Sequence, residues 1–193
     1  MEKDSVKRTY QLVIIGGSAG SLDVLMSVVA QLRPELSVPV LVIVHRKQDN
    51  DNLMESLLSY KSTLPVKEAE DKEPLLPGNI YIAPADYHLL IEKNNTIALD
   101  ASEKVNFSRP SIDVSFQSAA EVYGDKLICI LLSGANADGT EGLISAKQTG
   151  ALLMVQDPLS AEVSFMPMQA LKTLSVDYII RGDEIAALLN ELV

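Results

Sequence analysis

The chain of 193 residues contains no tryptophan, one cysteine and two histidines. A single cysteine excludes an internal disulfide framework, and because Cys129 lies within an apolar run we expect a buried structural thiol in a reducing compartment. The spacing patterns of zinc sites are absent, so we expect no metal ion, and no organic cofactor is required by the groups described below. The shortage of histidine limits the candidates for a general base near neutral pH to His45 and His88.

Positive charge is also scarce, since 16 Lys and Arg residues stand against 26 Asp and Glu residues and the formal net charge is -10. Nucleic acids and anionic lipids bind to clusters of Lys and Arg, so neither is expected as the main partner. No apolar run approaches the ~20 residues that span a bilayer, and the charged start of the chain is unlike a signal peptide. We therefore expect a cytoplasmic protein that is not an integral membrane protein.

Hydrophobic residues make up 47% of the chain, which is ample for a sizeable core. The length suits one domain over residues 1–193 with its core at about 11–181. Short β-branched runs alternate with longer amphipathic segments, which predicts an α/β fold with a doubly wound, mainly parallel sheet and helices on both faces. The predicted strands cover about residues 11–16, 40–44, 126–132, 151–156 and 177–180, and the predicted helices cover about 20–32, 51–60, 111–123, 139–148 and 183–192.

The pattern changes after the Pro-rich and Gly-containing stretch at residues 74–78. Three short apolar runs follow at residues 79–83, 88–92 and 96–100, and turn residues that include Asn94 and Asn95 separate them. Such runs are typical of antiparallel hairpins. We expect a β-hairpin insertion or a sheet edge in this part of the chain.

Three polar residues lie just past the ends of three separate apolar runs: Ser18 after 12–15, His45 after 40–44 and Asp138 after 127–132. In open α/β sheets, ligands bind outside the carboxyl ends of the strands, so we expect the three side chains to share one mouth. A hydroxyl, an imidazole and a carboxylate can act as nucleophile, general base and orienting acid in hydrolysis. The pattern predicts a serine esterase.

Residues 16–20 fit the pattern G-x-S-x-G, whose glycines allow a sharp turn from strand to helix and leave the serine hydroxyl exposed. A glycine-rich turn after a first strand can also hold the phosphates of a nucleotide, so a binding module without catalysis stays open. Two residues weigh against a dinucleotide site. The fingerprint needs glycine at Ile15, and His45 stands where an acidic residue usually binds ribose.

The other two candidate residues have alternatives as well. His45 could be an ordinary core or surface histidine, and an α/β-hydrolase order would instead combine Ser18 with an early aspartate and His88. His88 itself falls in a presumed hairpin strand, where a structural or substrate-facing role is expected. Asp138 also suits the N-cap of the helix that follows it, with Glu141 completing a capping box.

Several separated segments occur in one order: IIGGSAG at 14–20, VIVH at 42–45, PGNIYIAP at 77–84, RPSIDV at 109–114 and LLSG at 131–134. With these segments the chain resembles the catalytic domain of the chemotaxis protein-glutamate methylesterases, from about residue 12 to residue 180. The resemblance implies that Ser18 is the nucleophile, His45 the base and Asp138 its orienting acid. It also implies that the substrate is a methylated chemoreceptor cytoplasmic domain, whose glutamate γ-methyl esters are hydrolysed to release methanol, with deamidation of receptor glutamines as a second activity.

The chain departs from the family pattern on both sides of the site. The family usually has Thr and two glycines after the nucleophile and Met-Gly-Asn before the acid, where this chain has Ala19-Gly20-Ser21 and Ala135-Asn136-Ala137. Backbone amides can still serve as oxyanion donors, so activity need not be lost. The candidates for an oxyanion and substrate loop are Ala19, Gly20, Gly134, Ala135 and Asn136, and the weaker substrate-facing candidates are Arg46, His88 and Met166.

Most members of this family carry an N-terminal receiver domain, whereas only a few residues precede the first predicted strand here. Control by a separate receiver or methyltransferase protein, a constitutively open enzyme and a fragment of a longer protein are the alternatives. A triad-bearing esterase with another substrate is a further alternative, because substrate choice depends on loops. Arg46 and Lys47 add positive charge near the expected mouth, where we expect them to steer an acidic receptor segment.

Overall fold

The structure is a computed structural model that describes residues 9–46 and 53–193. Nine strands and six α-helices occur in the described residues, together with two short 3-10 helices. The strands are β1 Leu12–Gly17, β2 Val40–Val44, β3 Val66–Glu68, β4 Ile80–Ile82, β5 His88–Ile91, β6 Ile97–Asp100, β7 Leu127–Leu131, β8 Leu152–Gln156 and β9 Tyr178–Ile180. The helices are α1 Leu22–Gln31, α2 Leu53–Lys61, α3 Ile112–Tyr123, α4 Thr140–Gln148, α5 Phe165–Thr173 and α6 Ile185–Leu192.

Seven strands form one parallel sheet in the order β3-β4-β2-β1-β7-β8-β9. Every residue of β1, β2 and β7 is buried. Such near-continuous apolar strands are expected where helices cover both faces of a parallel sheet. The doubly wound α/β fold that the alternation predicts is confirmed.

Alternate residues of β1 face two different cores because successive side chains of a strand point to opposite faces. Val13 and Ile15 pack with buried residues of α1, α2 and α6. Leu12 and Ile14 pack on the other face with buried residues of α3, α4, α5 and the β5/β6 hairpin. Each fully buried aliphatic side chain contributes about 1.5–3 kcal/mol, so the two cores hold the central strands firmly in register.

The predicted hairpin region is partly confirmed. Strands β5 and β6 form a separate antiparallel pair, as the turn residues predict. The prediction for residues 79–83 is wrong, because β4 lies inside the main sheet and pairs in parallel with β2 and β3. All of β4 is buried, and burial from both faces selects a short apolar strand whatever turn residues flank it.

Two elements, β3 and α5, were not predicted from the sequence. Strand β3 has three half-buried residues, too few for a clear period, and α5 contains Pro167 in its first turn. The predicted helix at 51–60 begins among residues outside the described part, and its described portion is α2. No helix in the described residues is both long and apolar enough to cross a bilayer.

The strand order reverses at β1, whose neighbours are β2 on one side and β7 on the other. Ligands bind in the crevice that such a switch point leaves outside the carboxyl ends of the strands. Ser18 follows β1, His45 follows β2, and the loop to Asp138 follows β7. The fold therefore brings the three predicted site residues to one edge of the sheet.

Candidate active site

An imidazole and a carboxylate meet at this edge. The Nε2 atom of His45 lies 2.7 Å from Oδ2 of Asp138, a normal distance for a charge-assisted hydrogen bond. In the familiar serine protease arrangement the acid instead contacts Nδ1. Because Nε2 donates to Asp138 here, Nδ1 is the ring nitrogen that can accept a proton.

Asp138 is fully buried, yet its carboxylate is surrounded by donors. The amides of Ile112 and Asp113 donate to it over 2.7 Å and 3.0 Å, and the Ser111 hydroxyl donates over 2.9 Å. Burial alone raises the pKa of Asp138, but the hydrogen bond from His45 and the two amides lower it more, so the pKa is well below its usual range. Asp138 is therefore a carboxylate that fixes the tautomer of His45.

The sequence also allowed Asp138 to be the N-cap of the helix that follows it, α4, and this alternative is wrong. Gly139, with φ of 94°, occupies the N-cap position of α4, where no side chain makes a capping hydrogen bond. Asp138 instead accepts from the first-turn amides of α3, where the helix dipole also favours a negative charge. An aspartate before one helix can serve a different helix, and only the tertiary fold decides between them.

Residues 105–108 form a tight turn that the sequence analysis missed. Val105 and Ser108 exchange backbone hydrogen bonds, and the two residues between them have positive φ, 50° at Asn106 and 62° at Phe107. Positive φ is typical of two-residue hairpin turns, but it is strained for phenylalanine. The turn places Asn106 on the acids, since its amide nitrogen lies 2.9 Å from Asp113 Oδ2 and 3.3 Å from Asp138 Oδ1.

Ser108 closes this turn and contacts the candidate base. Its hydroxyl oxygen lies 3.3 Å from Nδ1 of His45. Ser108 is therefore a second serine near the imidazole, besides Ser18. The sequence analysis did not predict this turn, and its one local signal is Asn106, a residue type that adopts positive φ more readily than most.

Asp113 is a second buried carboxyl beside Asp138, and the sequence analysis missed it too. It accepts a hydrogen bond of 2.7 Å from the amide of Gly142. Burial raises the pKa of Asp113 to about 7, and the negative charge of Asp138 adds to this rise, whereas the Gly142 amide opposes it. One end of α3 thus holds one ionised acid and one acid that titrates near neutral pH.

Ser18 lies in the turn between β1 and α1. Its amide donates to the Ser133 carbonyl over 2.9 Å, and its carbonyl accepts from the Ser21 hydroxyl over 2.7 Å. The amide of His45 donates to the Gly17 carbonyl over 3.2 Å, which places the base beside the serine loop. The loop that carries Ser18 therefore lies against the backbone of His45, whose side chain contacts Asp138.

Ser18 and His45 line one cavity of about 280 Å³. Within the described residues, the Ser18 hydroxyl makes no hydrogen bond with His45. Catalytic hydrogen bonds are often long in a substrate-free enzyme and shorten when the substrate binds. Most of the remaining wall is apolar and comes from Ala19, Leu22, Val44, Leu53, Met54 and Leu57.

Gly20 allows the serine loop to close on its neighbours. Its φ is 75°, and a Cβ atom there would lie 2.7 Å from Glu162 Cβ and 2.8 Å from Ser133 Oγ. Only glycine fits both the backbone conformation and the space. The amides of Ala19 and Gly20, which follow the serine, donate to no other group in the described residues, so they are free to face an oxyanion.

The second half of the predicted oxyanion loop needs a correction. The amide of Gly134 donates to the Val163 carbonyl over 3.1 Å, so it is not available to a substrate. The amides of Ala135 and Asn136 have no such partner in the described part of the chain. Gly134 has a packing role instead, because a Cβ atom there would lie 2.4 Å from Met166 Cε.

Two of the weaker substrate-facing candidates are structural. Met166 is fully buried and packs under Gly134. His88 is 1% exposed, and its two ring nitrogens lie 2.9 Å from the Glu103 carbonyl oxygen and 3.1 Å from the Ser111 amide nitrogen. The substrate-facing prediction is wrong for both residues, because burial of these side chains depends on distant parts of the chain, whereas the structural role expected for His88 agrees with its buried contacts. His88 also cannot replace His45 as the base.

The third candidate, Arg46, does line the cavity that holds Ser18 and His45. Its guanidinium lies 2.5 Å from the Glu68 carboxylate, so part of its charge is neutralised. Lys47 was predicted to act with Arg46 and falls outside the described residues. The steering role of this pair stays a prediction.

The fold and the site together define the class: an α/β protein with a Ser, His and Asp constellation at the switch point of a parallel sheet, as in serine hydrolases. Residues 13–189 match the sequence profile of the CheB methylesterase family. The chain belongs to this family. Among solved structures, the crystal structure of the Thermotoga maritima CheB methylesterase catalytic domain superposes with a TM-score of 0.91 at 34% identity, covering 96% of this chain and 100% of that one.

Individual relatives agree with this assignment. A Leptospira interrogans protein is 43% identical over 183 residues, which is 95% of either chain. The protein-glutamate methylesterase/protein-glutamine glutaminase of Thermotoga maritima is 34% identical over 186 residues, and that of a Pseudomonas putida group 1 operon is also 34% identical over 186 residues. The chain spans 54% and 50% of the length of these last two relatives. The comparisons support an esterase and not a nucleotide-binding module.

Proposed function

We propose that this chain is a protein-glutamate methylesterase that hydrolyses glutamate γ-methyl esters on chemoreceptors, with Ser18 as nucleophile. The observation that carries the proposal is the 2.7 Å contact between His45 and the buried Asp138 carboxylate, at the wall of the cavity that also holds Ser18. Such a pair has the groups of a general base and its orienting acid. The membership of the chain in the CheB methylesterase family supplies the substrate class.

The first step is acyl transfer to the enzyme. The Ser18 hydroxyl attacks the ester carbonyl while its proton moves to Nδ1 of His45. The amides of Ala19 and Gly20, at the start of α1, are placed to donate to the oxyanion that forms. The C–O bond to the methoxy group then breaks, and methanol leaves with the proton from Nδ1.

The second step releases the product. Water gives one proton to Nδ1 and attacks the acyl carbonyl, and the bond to Ser18 breaks as the serine takes that proton back. The product is a glutamic acid side chain, which loses its remaining proton to solvent and leaves as the carboxylate. Throughout both steps Asp138 accepts from Nε2, so the imidazolium that forms twice is paired with a negative charge. The low pKa of Asp138 keeps that charge present at neutral pH.

The same steps hydrolyse a glutamine side chain if ammonia replaces methanol as the leaving group. The imidazolium then gives its proton to the departing nitrogen. Curated relatives are named for both activities. We extend the proposal to deamidation of receptor glutamines on this ground.

The partner of the proposed enzyme is the cytoplasmic domain of a methylated chemoreceptor, which requires a cytoplasmic location. We propose one catalytic domain over residues 1–193. No step needs a metal ion or organic cofactor, because Ser18, His45 and Asp138 supply the nucleophile and the proton transfers.

The test compares two substrates: a receptor cytoplasmic domain carrying labelled methyl esters, and a small methyl ester such as methyl butyrate. The proposal expects volatile label from the receptor, with kcat/KM at least about 10³-fold higher than for the small ester, because remote contacts contribute to transition-state binding. Equal kcat/KM for both esters contradicts the receptor as substrate.

A further inference from the structure

A second cavity, of about 500 Å³, shares His45 and Arg46 with the cavity that holds Ser18. Of the residues that the structure describes, three cationic ones and one acidic one line it, although the protein as a whole has a net charge of -10. Positive charge is thus concentrated beside the proposed base. We call this the cationic cavity, and its lining residues are His45, Arg46, Asp86, Lys104, Phe107, Ser108 and Arg109.

The guanidinium groups in the cationic cavity are only partly satisfied by the protein. Arg46 contacts Glu68, and Arg109 donates to the carbonyls of residues 101 and 102 and lies 4.0 Å from Asp86. The Nε atoms of both arginines are buried and have no hydrogen-bond partner among residues 9–46 and 53–193. Nη1 of Arg46 and Nη2 of Arg109 donate no hydrogen bond within the described residues, so these N–H groups are the ones that can donate to an anionic oxygen in the cavity.

Lys104 carries the third positive charge and is exposed. In the part of the chain that the structure describes, it makes neither an ion pair nor a hydrogen bond. Asp86 is the one acid among the described residues of the wall, while Glu68 pairs with Arg46 and Asp100 lies near Arg109. The described wall itself therefore presents more cations than acids to a ligand, which favours an anion.

We propose that the cationic cavity binds a carboxylate side chain of the substrate that lies beside the ester, so that the enzyme prefers esters within acidic segments. This inference rests on the proposed methylesterase function. A methyl ester is neutral and gains little from cations, whereas the arginine fork and Lys104 match the charge and shape of a carboxylate. Since His45 borders both cavities, the ester and a neighbouring side chain of one substrate segment can occupy them together.

Phe107 supports the choice of a side chain over a free ion. It lines the cavity and is 99% exposed, in a strained turn that is fixed by Asn106. An aromatic ring held in solvent offers apolar contact to the aliphatic stem of a glutamate side chain. A small inorganic anion would make no use of this ring.

The experiment compares two helical peptides that each carry one glutamate γ-methyl ester. In the acidic peptide the residues one helical turn on either side of the ester are glutamates, and in the neutral peptide they are alanines. Binding is measured to the Ser18→Ala protein, which cannot turn the ester over, and methanol release is measured with Ser18 intact. We expect about tenfold tighter binding and about tenfold higher kcat/KM for the acidic peptide at low salt.

Lys104→Glu and Lys93→Glu are the matched variants. Both lysines are exposed and both changes alter the net charge equally, but Lys93 lies in the turn of the β5/β6 hairpin and does not line the cavity. We expect Lys104→Glu to abolish the preference for the acidic peptide, Lys104→Arg to restore it, and Lys93→Glu to leave it unchanged. A preference that survives Lys104→Glu, or that Lys93→Glu also removes, overturns the inference.

The two readouts separate this inference from the function it rests on. If the acidic peptide binds more tightly and this preference depends on Lys104, but no methanol is released, the role of the cationic cavity is supported and the methylesterase function is contradicted. Methanol release at equal rates from both peptides, with equal binding, keeps the methylesterase and rejects the cavity. Absence of both binding preference and methanol release rejects both.

Discussion

The hydroxyl of Ser108 lies 3.3 Å from Nδ1 of His45, the ring nitrogen that Asp138 leaves free. Ser108 belongs to the tight turn whose Asn106 side chain contacts Asp138. The imidazole is thus held at both nitrogens before a substrate arrives. In the proposed mechanism the Ser108 contact must give way as Nδ1 accepts the proton of Ser18.

Replacing Ser108 by alanine removes this competing contact. One ordinary hydrogen bond contributes about 1 kcal/mol, so we expect Ser108→Ala to raise kcat/KM for the methyl ester about fivefold. Steady-state methanol release measures the change. Ser102→Ala is the control, because Ser102 is exposed and its hydroxyl contacts Asp100 instead. A fall of more than tenfold in Ser108→Ala would mean that Ser108 assists the reaction.

Asp138→Asn leaves the shape of the side chain but removes its charge. The carboxylate then no longer holds the imidazole in the tautomer with its proton on Nε2, and we expect kcat to fall by about 10⁴-fold. The new NH₂ group also meets the amides of Ile112 and Asp113, so we expect a loss of about 1–3 kcal/mol in the free energy of unfolding, measured in urea. The exposed Asp125→Asn should change neither quantity. A kcat within tenfold of the wild type would remove Asp138 from the proposed site.

Gly134→Ala tests the packing of the loop between β7 and Asp138. The added Cβ meets Met166 at 2.4 Å, and overpacking of this kind costs about 1–3 kcal/mol. Met166→Ala alone leaves a cavity that costs about 2–5 kcal/mol. We expect the double variant to cost less than the sum by at least about 0.5 kcal/mol, because the smaller side chain makes room for the new methyl group. Strict additivity in denaturant unfolding would show that the two residues do not share this space.

The raised pKa of Asp113 makes the free energy of unfolding depend on pH. Its pKa is about 7 in the folded state and near 3.8 without the fold, so between these values the unfolded chain releases its proton while the folded chain keeps it. This carboxyl therefore lowers the free energy of unfolding by up to about 1.4 kcal/mol for each pH unit as pH rises through that window. Asp113→Asn removes the effect. We expect the variant to gain stability relative to the wild type from pH 5 to pH 8, and a difference that stays flat contradicts the assignment.

The central features could be predicted from the sequence because they depend on local patterns. The apolar runs that precede Ser18, His45 and the loop to Asp138 mark three buried strands, and the carboxyl ends of parallel strands meet at one edge. The glycine-rich turn at 16–20 likewise has a local signature. These patterns need no knowledge of which distant residues surround the site.

The parts that could not be predicted depend on contacts between distant residues. Asp138 accepts hydrogen bonds from the first amides of α3 rather than from α4, because residues 106–113 fold back onto Asp138. The burial of Met166 and His88 and the use of the Gly134 amide depend on the same kind of contact. Strand β4 was misassigned because flanking turn residues resemble those of a hairpin, while burial in the main sheet decides its pairing.

The most direct test of the central claim, that His45 activates Ser18, is methanol release by the Ser18→Ala and Ser108→Ala variants side by side on a methyl-labelled receptor domain. Both serines lie near the imidazole, so comparing the two variants shows which hydroxyl attacks the ester. We expect Ser18→Ala to lose about 10⁶-fold in kcat with an unchanged melting temperature, while Ser108→Ala stays active. Release from Ser18→Ala at more than a hundredth of the wild-type rate, or loss of activity only in Ser108→Ala, would contradict the claim.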